Sequence, residues 1–182
     1  MPSLIARFPM RPLACAAALS VTLPAVTVAA AHHPGAQHAT PRWLVVNAKT
    51  HTATLTLIAA YSNAIGGFNF NGYGQGKMIV SVPVNYHVNA VFTNKATLPH
   101  SAMIVPYAQR TSSGSFTLAF PHASTPNPVQ GSPKGKTEKF SFVASKSGTY
   151  ALICPVPGHN AAGMWDVFKV TNGGSASISF KH

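Results

Sequence analysis

The chain has 182 residues, 46% of them hydrophobic and only 8% charged, which is enough apolar material for one real core and excludes an intrinsically disordered chain. Thirteen Lys and Arg stand against two acidic residues, giving a formal net charge of +11. The cations are scattered singly, and only Lys134, Lys136 and Lys139 group together, in a Gly/Pro/Ser loop; this argues against the clustered basic face of a nucleic-acid-binding protein.

The N-terminus carries Arg7 and Arg11, then an uncharged run from Leu13 to Ala31 that closes on small residues, "VAAA". That order predicts a signal peptide over residues 1–31, with an N-terminal membrane anchor as the alternative. Residues 32–41, "HHPGAQHATP", are expected to form a flexible linker, and 42–182 the folded domain. Loss of Cys15 with the signal leaves Cys154 as the sole cysteine of an exported chain, so no intrachain disulfide is possible.

From residue 42 the pattern is that of strands. Runs rich in Val, Ile, Thr, Phe and Tyr occur at 43–48, 52–60, 68–74, 77–83, 86–94, 101–105, 115–120, 138–144, 148–154, 165–170 and 177–180, separated by Gly, Pro and Asn. Asn71-Gly72 inside the third run is a hairpin-turn signal. In the fifth, Tyr86, Val88, Ala90 and Phe92 share one face, and His87, Asn89 and Val91 share the other. No long amphipathic helix is visible. The predicted fold is all-β: an antiparallel Greek-key β-sandwich with a long loop insertion, Pro106 to Lys136, read as a stabilising flap.

The chemistry concentrates in "CPVPGHNAAGMW", residues 154–165. Cys154 ends a strand, Pro155, Pro157 and Gly158 turn the chain, His159 and Met164 follow, and Trp165 opens the next strand. A second histidine, His100, starts a strand in "LPHSAMIV". A thiolate, two imidazoles and a thioether form the donor set of a blue-copper site, with His₂Cys in a plane and a weak axial Met. Soft sulfur favours Cu(I), imidazole suits both oxidation states, and a loop anchored by strands holds one geometry for both.

The segments "FNFNG" (68–72), "LPHSAMIV" (98–105) and "CPVPGHNAAGMW" resemble those of cupredoxins of the sulfocyanin and rusticyanin group. The resemblance implies a cupredoxin-like fold, one copper ion held by His100, Cys154, His159 and Met164, and electron exchange with partners such as cytochromes or a terminal oxidase; the anchor alternative for the N-terminus would add a membrane tether. It also implies a carrier and not an enzyme. Ser101 follows His100 where many cupredoxins have Asn, and is expected to hydrogen-bond across the two ligand-bearing strands; Asn71 is a weaker candidate for supporting the site. An apolar ring of Pro155, Val156, Pro157, Ala161 and Ala162 around His159 is expected to dock partners.

The scarcity of carboxylates points to an acidic extracytoplasmic setting. Acid unfolding works largely by protonating paired carboxylates, and only Glu138 and Asp166 carry one. A periplasmic copper storage or delivery protein would use the same donors in an exchangeable site. A dinuclear oxidase centre needs two loop cysteines. A cysteine nucleophile needs an activating environment that a strand end and two prolines do not provide.

Overall fold

The computed structural model describes residues 43–181. The expected signal or anchor segment and the linker lie outside the described residues. Among the described residues there are nine strands: β1 (Leu44–Asn47), β2 (Thr52–Ala59), β3 (Met78–Pro83), β4 (His87–Asn94), β5 (Met103–Pro106), β6 (Thr137–Val143), β7 (Gly148–Ile153), β8 (Trp165–Thr171) and β9 (Ser177–Phe180). Helical structure among the described residues is confined to two short 3₁₀ turns, Ala64–Gly67 and Tyr107–Gln109.

The strands form two sheets, ordered β1-β2-β4-β6 and β5-β7-β8-β3-β9. Alternation along the chain decides which side chains face the other sheet. Thr52–Ala59 alternates between half-buried and buried residues, and Ala53, Leu55, Leu57 and Ala59 point inward. Val88, Ala90 and Phe92 of β4 meet Met78, Val80 and Val82 of β3 and Phe168 of β8 in one continuous core. Burying each such side chain contributes on the order of 1.5–3 kcal/mol. A smaller cluster of Met103, Val105, Ala151 and Ile153 lies apart from that core, packed against Tyr107, Phe116 and Trp165.

The sandwich prediction holds, but the sheets are mixed and not antiparallel throughout. β2 pairs with β4 in parallel, and β3 with β8 in parallel. From β2 to β7 the chain alternates between the sheets, so β4 returns to the first sheet after β3 in the second and can lie parallel to β2. Two local expectations also change. The run 68–74 is not a strand but a tight turn: Phe70 and Tyr73 exchange backbone hydrogen bonds of 2.8 Å across Asn71 (φ 55°) and Gly72 (φ 89°), the two left-handed positions that the Asn-Gly pair predicts. The run 115–120 is not a strand either. Ser115, Thr117 and Leu118 are exposed, Pro121 breaks the ladder, and Phe120 drops into the core to stack on Phe142, centroids 5.5 Å apart.

The long insertion does act as a flap, over the edge of the second sheet beside β5. Ala119 donates to the Ile104 carbonyl, Ile104 to Ala123, and Thr125 to Ala102. Beyond them His100 and Ser132 pair in both directions, at 3.3 and 2.7 Å. The edge that carries His100 is therefore covered by the chain itself, which also removes an exposed strand template.

Candidate metal centre

His100 sits just ahead of β5, Cys154 just after β7, and His159 on the loop joining β7 to β8. The β5–β7 ladder brings Met103 opposite Ile153, which carries His100 and Cys154 to the same end of the sandwich. The loop is closed by its own hydrogen bonds. The amide of Cys154 donates to the Met164 carbonyl at 3.1 Å, that of Met164 to the His159 carbonyl at 3.0 Å, and that of His159 to the Val156 carbonyl at 3.0 Å. Gly158 and Gly163 supply the left-handed positions that reverse the chain (φ 86° and 107°).

The result is a convergence of donor atoms from two distant places in the sequence. Cys154 Sγ lies 3.4 Å from His159 Nδ1 and 3.8 Å from His100 Nδ1, and the two imidazole nitrogens are 3.1 Å apart. All three donors lie within 4.8 Å of one another and all three residues are buried. Met164 is fully buried in the same core cluster as Cys154. Nitrogen donors about 2.0 Å and a thiolate about 2.3 Å from a common small ion are separated from one another by distances of this size.

Burial opposes the charged form of every one of these groups. It pushes the Cys154 thiol up to about 11. It lowers His100 to about 4, with His159 adding a like charge, and lowers His159 as well. Two imidazoles that burial holds neutral beside one buried sulfur are suited to a thiophilic cation, which stabilises the thiolate and needs neutral His. The residues present thus fit a copper ion. Backbone amides already face the sulfur: Ser101 N–H lies 3.4 Å from Sγ, and the Val156 N–H also donates to it.

The structure reassigns several supporting roles. Ser101 bridges the two ligand-bearing segments through its backbone amide; its hydroxyl donates to the Pro128 carbonyl at 2.5 Å and stays 3.9 Å from Sγ. Asn71 does not reach the site. Its side chain accepts from Ile58 N–H at 2.7 Å and donates to the Thr56 carbonyl at 2.8 Å, tying the turn to β2. Pro155 and Val156 are buried, so the exposed residues beside His159 are Pro157, Gly158, Ala161 and Ala162. His159 itself keeps 8% of its surface exposed against 1% for His100, so it is the imidazole with an edge towards solvent.

Phe68 was not anticipated as a site residue. Its ring meets His159 edge-on at 4.9 Å and His100 at 6.1 Å, walling both imidazoles. The signal lay within "FNFNG", where Asn69 and Asn71 fix the turn that aims it. Asn160 was also missed. It is buried beside His159 and donates to the Ser112 carbonyl at 2.7 Å and the Arg110 carbonyl at 3.3 Å, pinning the loop to the flap.

Residues 39–179 match the family model described as the sulfocyanin (SoxE) domain. This chain belongs to the sulfocyanin family, whose members are blue copper proteins, and its cofactor is one copper ion. Sulfocyanin of Sulfolobus acidocaldarius is 30% identical over 128 residues, which cover 66% of this chain and 64% of that protein. The chain thus spans under two thirds of that curated relative. Among solved structures, a multi-copper oxidase from Pseudomonas thermotolerans superposes with TM-score 0.50 at 15% identity, over 68% of this chain and 30% of that one. Rusticyanin from Thiobacillus ferrooxidans gives TM-score 0.41 at 25% identity, over 71% and 86%.

Proposed function

We propose that His100, Cys154, His159 and Met164 would hold the copper ion and that the protein is a one-electron carrier. The observation that supports this most is the convergence of two imidazoles and one thiol within 4.8 Å in a buried setting. Copper in such a site gains and loses one electron between Cu(II) and Cu(I). The chain's own residues keep the donors in place for both charges. The strand ends fix His100 and Cys154, the loop hydrogen bonds fix His159 and Met164, and Phe68 excludes water. With four protein donors engaged, no position is left for a substrate, which supports a carrier and not an enzyme. Burial of all four also supports retention of the metal over the exchangeable site of a storage or delivery protein.

Partners meet the protein at the His159 end. Pro157, Ala161 and Ala162 surround the ring edge, and Leu98 (55% exposed) and Val129 (49% exposed) add exposed apolar surface. A weak apolar contact with redox proteins such as cytochromes or a terminal oxidase suits a carrier that must leave after each exchange. The setting is extracytoplasmic and acidic. The export-type N-terminus supports the first point. The second is supported by His100, which burial keeps neutral and ready for metal down to about pH 4. Replacing His159 by Ala tests the proposal. It should weaken copper binding and slow electron exchange, and unchanged values of both would refute it.

A further inference from the structure

On the flap side of the sandwich, three side chains outside the copper site form one stack. The guanidinium of Arg110 lies 4.5 Å above the Tyr107 ring and 5.5 Å above the Trp165 ring, and the two rings meet edge-on at 6.2 Å. All three residues are half-buried, so the stack reaches solvent. Arg110 donates to the Tyr107 carbonyl at 3.2 Å and has no carboxylate partner among the described residues. Of the chain's two acidic residues, Asp166 is buried with one oxygen accepting the Met78 N–H, and Glu138 lies in β6 of the other sheet. A planar, always-charged guanidinium laid on aromatic faces is well formed to receive a carboxylate in two-pronged fashion.

The same stack is tied to the copper loop by two independent links. The Cys154 amide donates to the Met164 carbonyl at 3.1 Å, and that carbonyl carbon is bonded to the nitrogen of Trp165. One hydrogen bond and a few covalent bonds therefore join the sulfur of Cys154 to the indole. Asn160, next to His159, holds the Arg110 carbonyl at 3.3 Å.

We propose that Arg110, Tyr107 and Trp165 form a second docking port, distinct in its residues from the apolar surface around His159, for the acidic face of a one-electron redox protein, with Trp165 as the exit for the electron. The inference rests on the copper-carrier reading above. Charge selects the occupant: a chain of formal charge +11 with two acidic residues attracts carboxylate-rich surfaces. In the exchange one electron passes between the reduced protein and the partner, and no bond is made or broken.

Two probes on the copper-loaded protein test this. In the reduced, diamagnetic protein, titration with the redox-inert anion hexacyanocobaltate(III) is followed at the two indole N–H resonances. The Trp165 signal should shift and that of Trp43 should not, and Arg110→Gln should remove the shift. In stopped flow, hexacyanoferrate(III) takes one electron from the reduced protein and becomes hexacyanoferrate(II). At low ionic strength Arg110→Gln should slow this roughly three- to tenfold, by loss of steering, while Lys49→Gln should not. Trp165→Leu should slow it with the anion still bound, and Trp165→Phe should restore part of the rate. An unshifted Trp165 resonance, or Arg110→Gln rates equal to those of Lys49→Gln, overturns the proposal. Failure of the copper reading would show separately, as a colourless parent protein.

Discussion

The Nδ1 atoms of His100 and His159, 59 residues apart in the sequence, lie 3.1 Å from each other. Neither position is set by its neighbours in the chain. His100 is held by the pairing with Ser132 in the flap, and His159 by a loop whose ends are two strands of one sheet. Burial disfavours both imidazolium and free thiolate there, and a bound cation would favour neutral imidazoles and a thiolate together, which is the physical reason for assigning the three donors to a metal.

Met164 is the softest and weakest of the four donors proposed. Met164→Gln should keep copper, because the three close donors remain, but should lower the reduction potential, since an oxygen donor favours Cu(II) over Cu(I). Met164→Leu should raise it. Potentiometric titration of both variants checks the order, and equal potentials would remove Met164 from the site.

Asp166 contributes stability that is present in acid, against the opposite pull of the two lowered imidazoles His100 and His159. Burial raises its carboxyl from 3.8 to about 8, against opposing hydrogen bonds from the Met78 and Lys77 amides. The folded state thus binds a proton that the unfolded state has lost over that interval. The resulting stability is fully present below about pH 4 and disappears as pH rises through about 8. Asp166→Asn should flatten this slope in chemical unfolding curves between pH 4 and 8. At pH 4 it should change stability by no more than about 1 kcal/mol, because the amide oxygen still accepts from Met78.

Gly131 marks the closest approach of the flap to the metal end. It has φ 73°, and a Cβ there would stand 3.0 Å from the His100 amide nitrogen and 2.9 Å from Val156 Cγ2. Gly131→Ala should destabilise the protein by about 1–3 kcal/mol and disturb the copper spectrum, since the displaced atoms belong to His100 and to the loop of Cys154. Thermal unfolding with and without copper measures both effects.

Asn160 anchors the ligand loop through two hydrogen bonds to the flap. Asn160→Ala should cost about 1–3 kcal/mol, because two half-buried carbonyls lose their donor. It should also speed copper release to a chelator, which distinguishes a positioning role from simple packing.

What could be read from the sequence was what local pattern encodes. Runs of strand-forming residues placed β2 and β4, alternation in 86–92 placed the inward face of β4, and Asn71-Gly72 placed a turn with both residues at positive φ. The donor spacing in 154–164, with His100 upstream, pointed to His100, Cys154 and His159, whose donor atoms the fold brings within 4.8 Å of one another. Long-range pairing was not legible. The parallel β2–β4 and β3–β8 ladders depend on how the chain crosses between sheets, and nothing in either strand states its partner's direction. Ser115 to Phe120 alternates as a strand does, yet only Phe120 finds a core site, and the neighbouring edge is met at Ala119 and Ala123 instead. Phe68 and Asn160 act through contacts with residues far away or with the flap, so their residue type alone gave no sign of the role.

The most direct test of the central claim is the absorption and electron spin resonance spectrum of the copper-loaded protein, taken beside that of Cys154→Ser. The account predicts one copper per chain, an intense visible thiolate-to-copper band and an unusually small copper hyperfine splitting, with the band lost in Cys154→Ser. A pale protein with the wide splitting of a square-planar nitrogen and oxygen site, unaltered by that substitution, would contradict it.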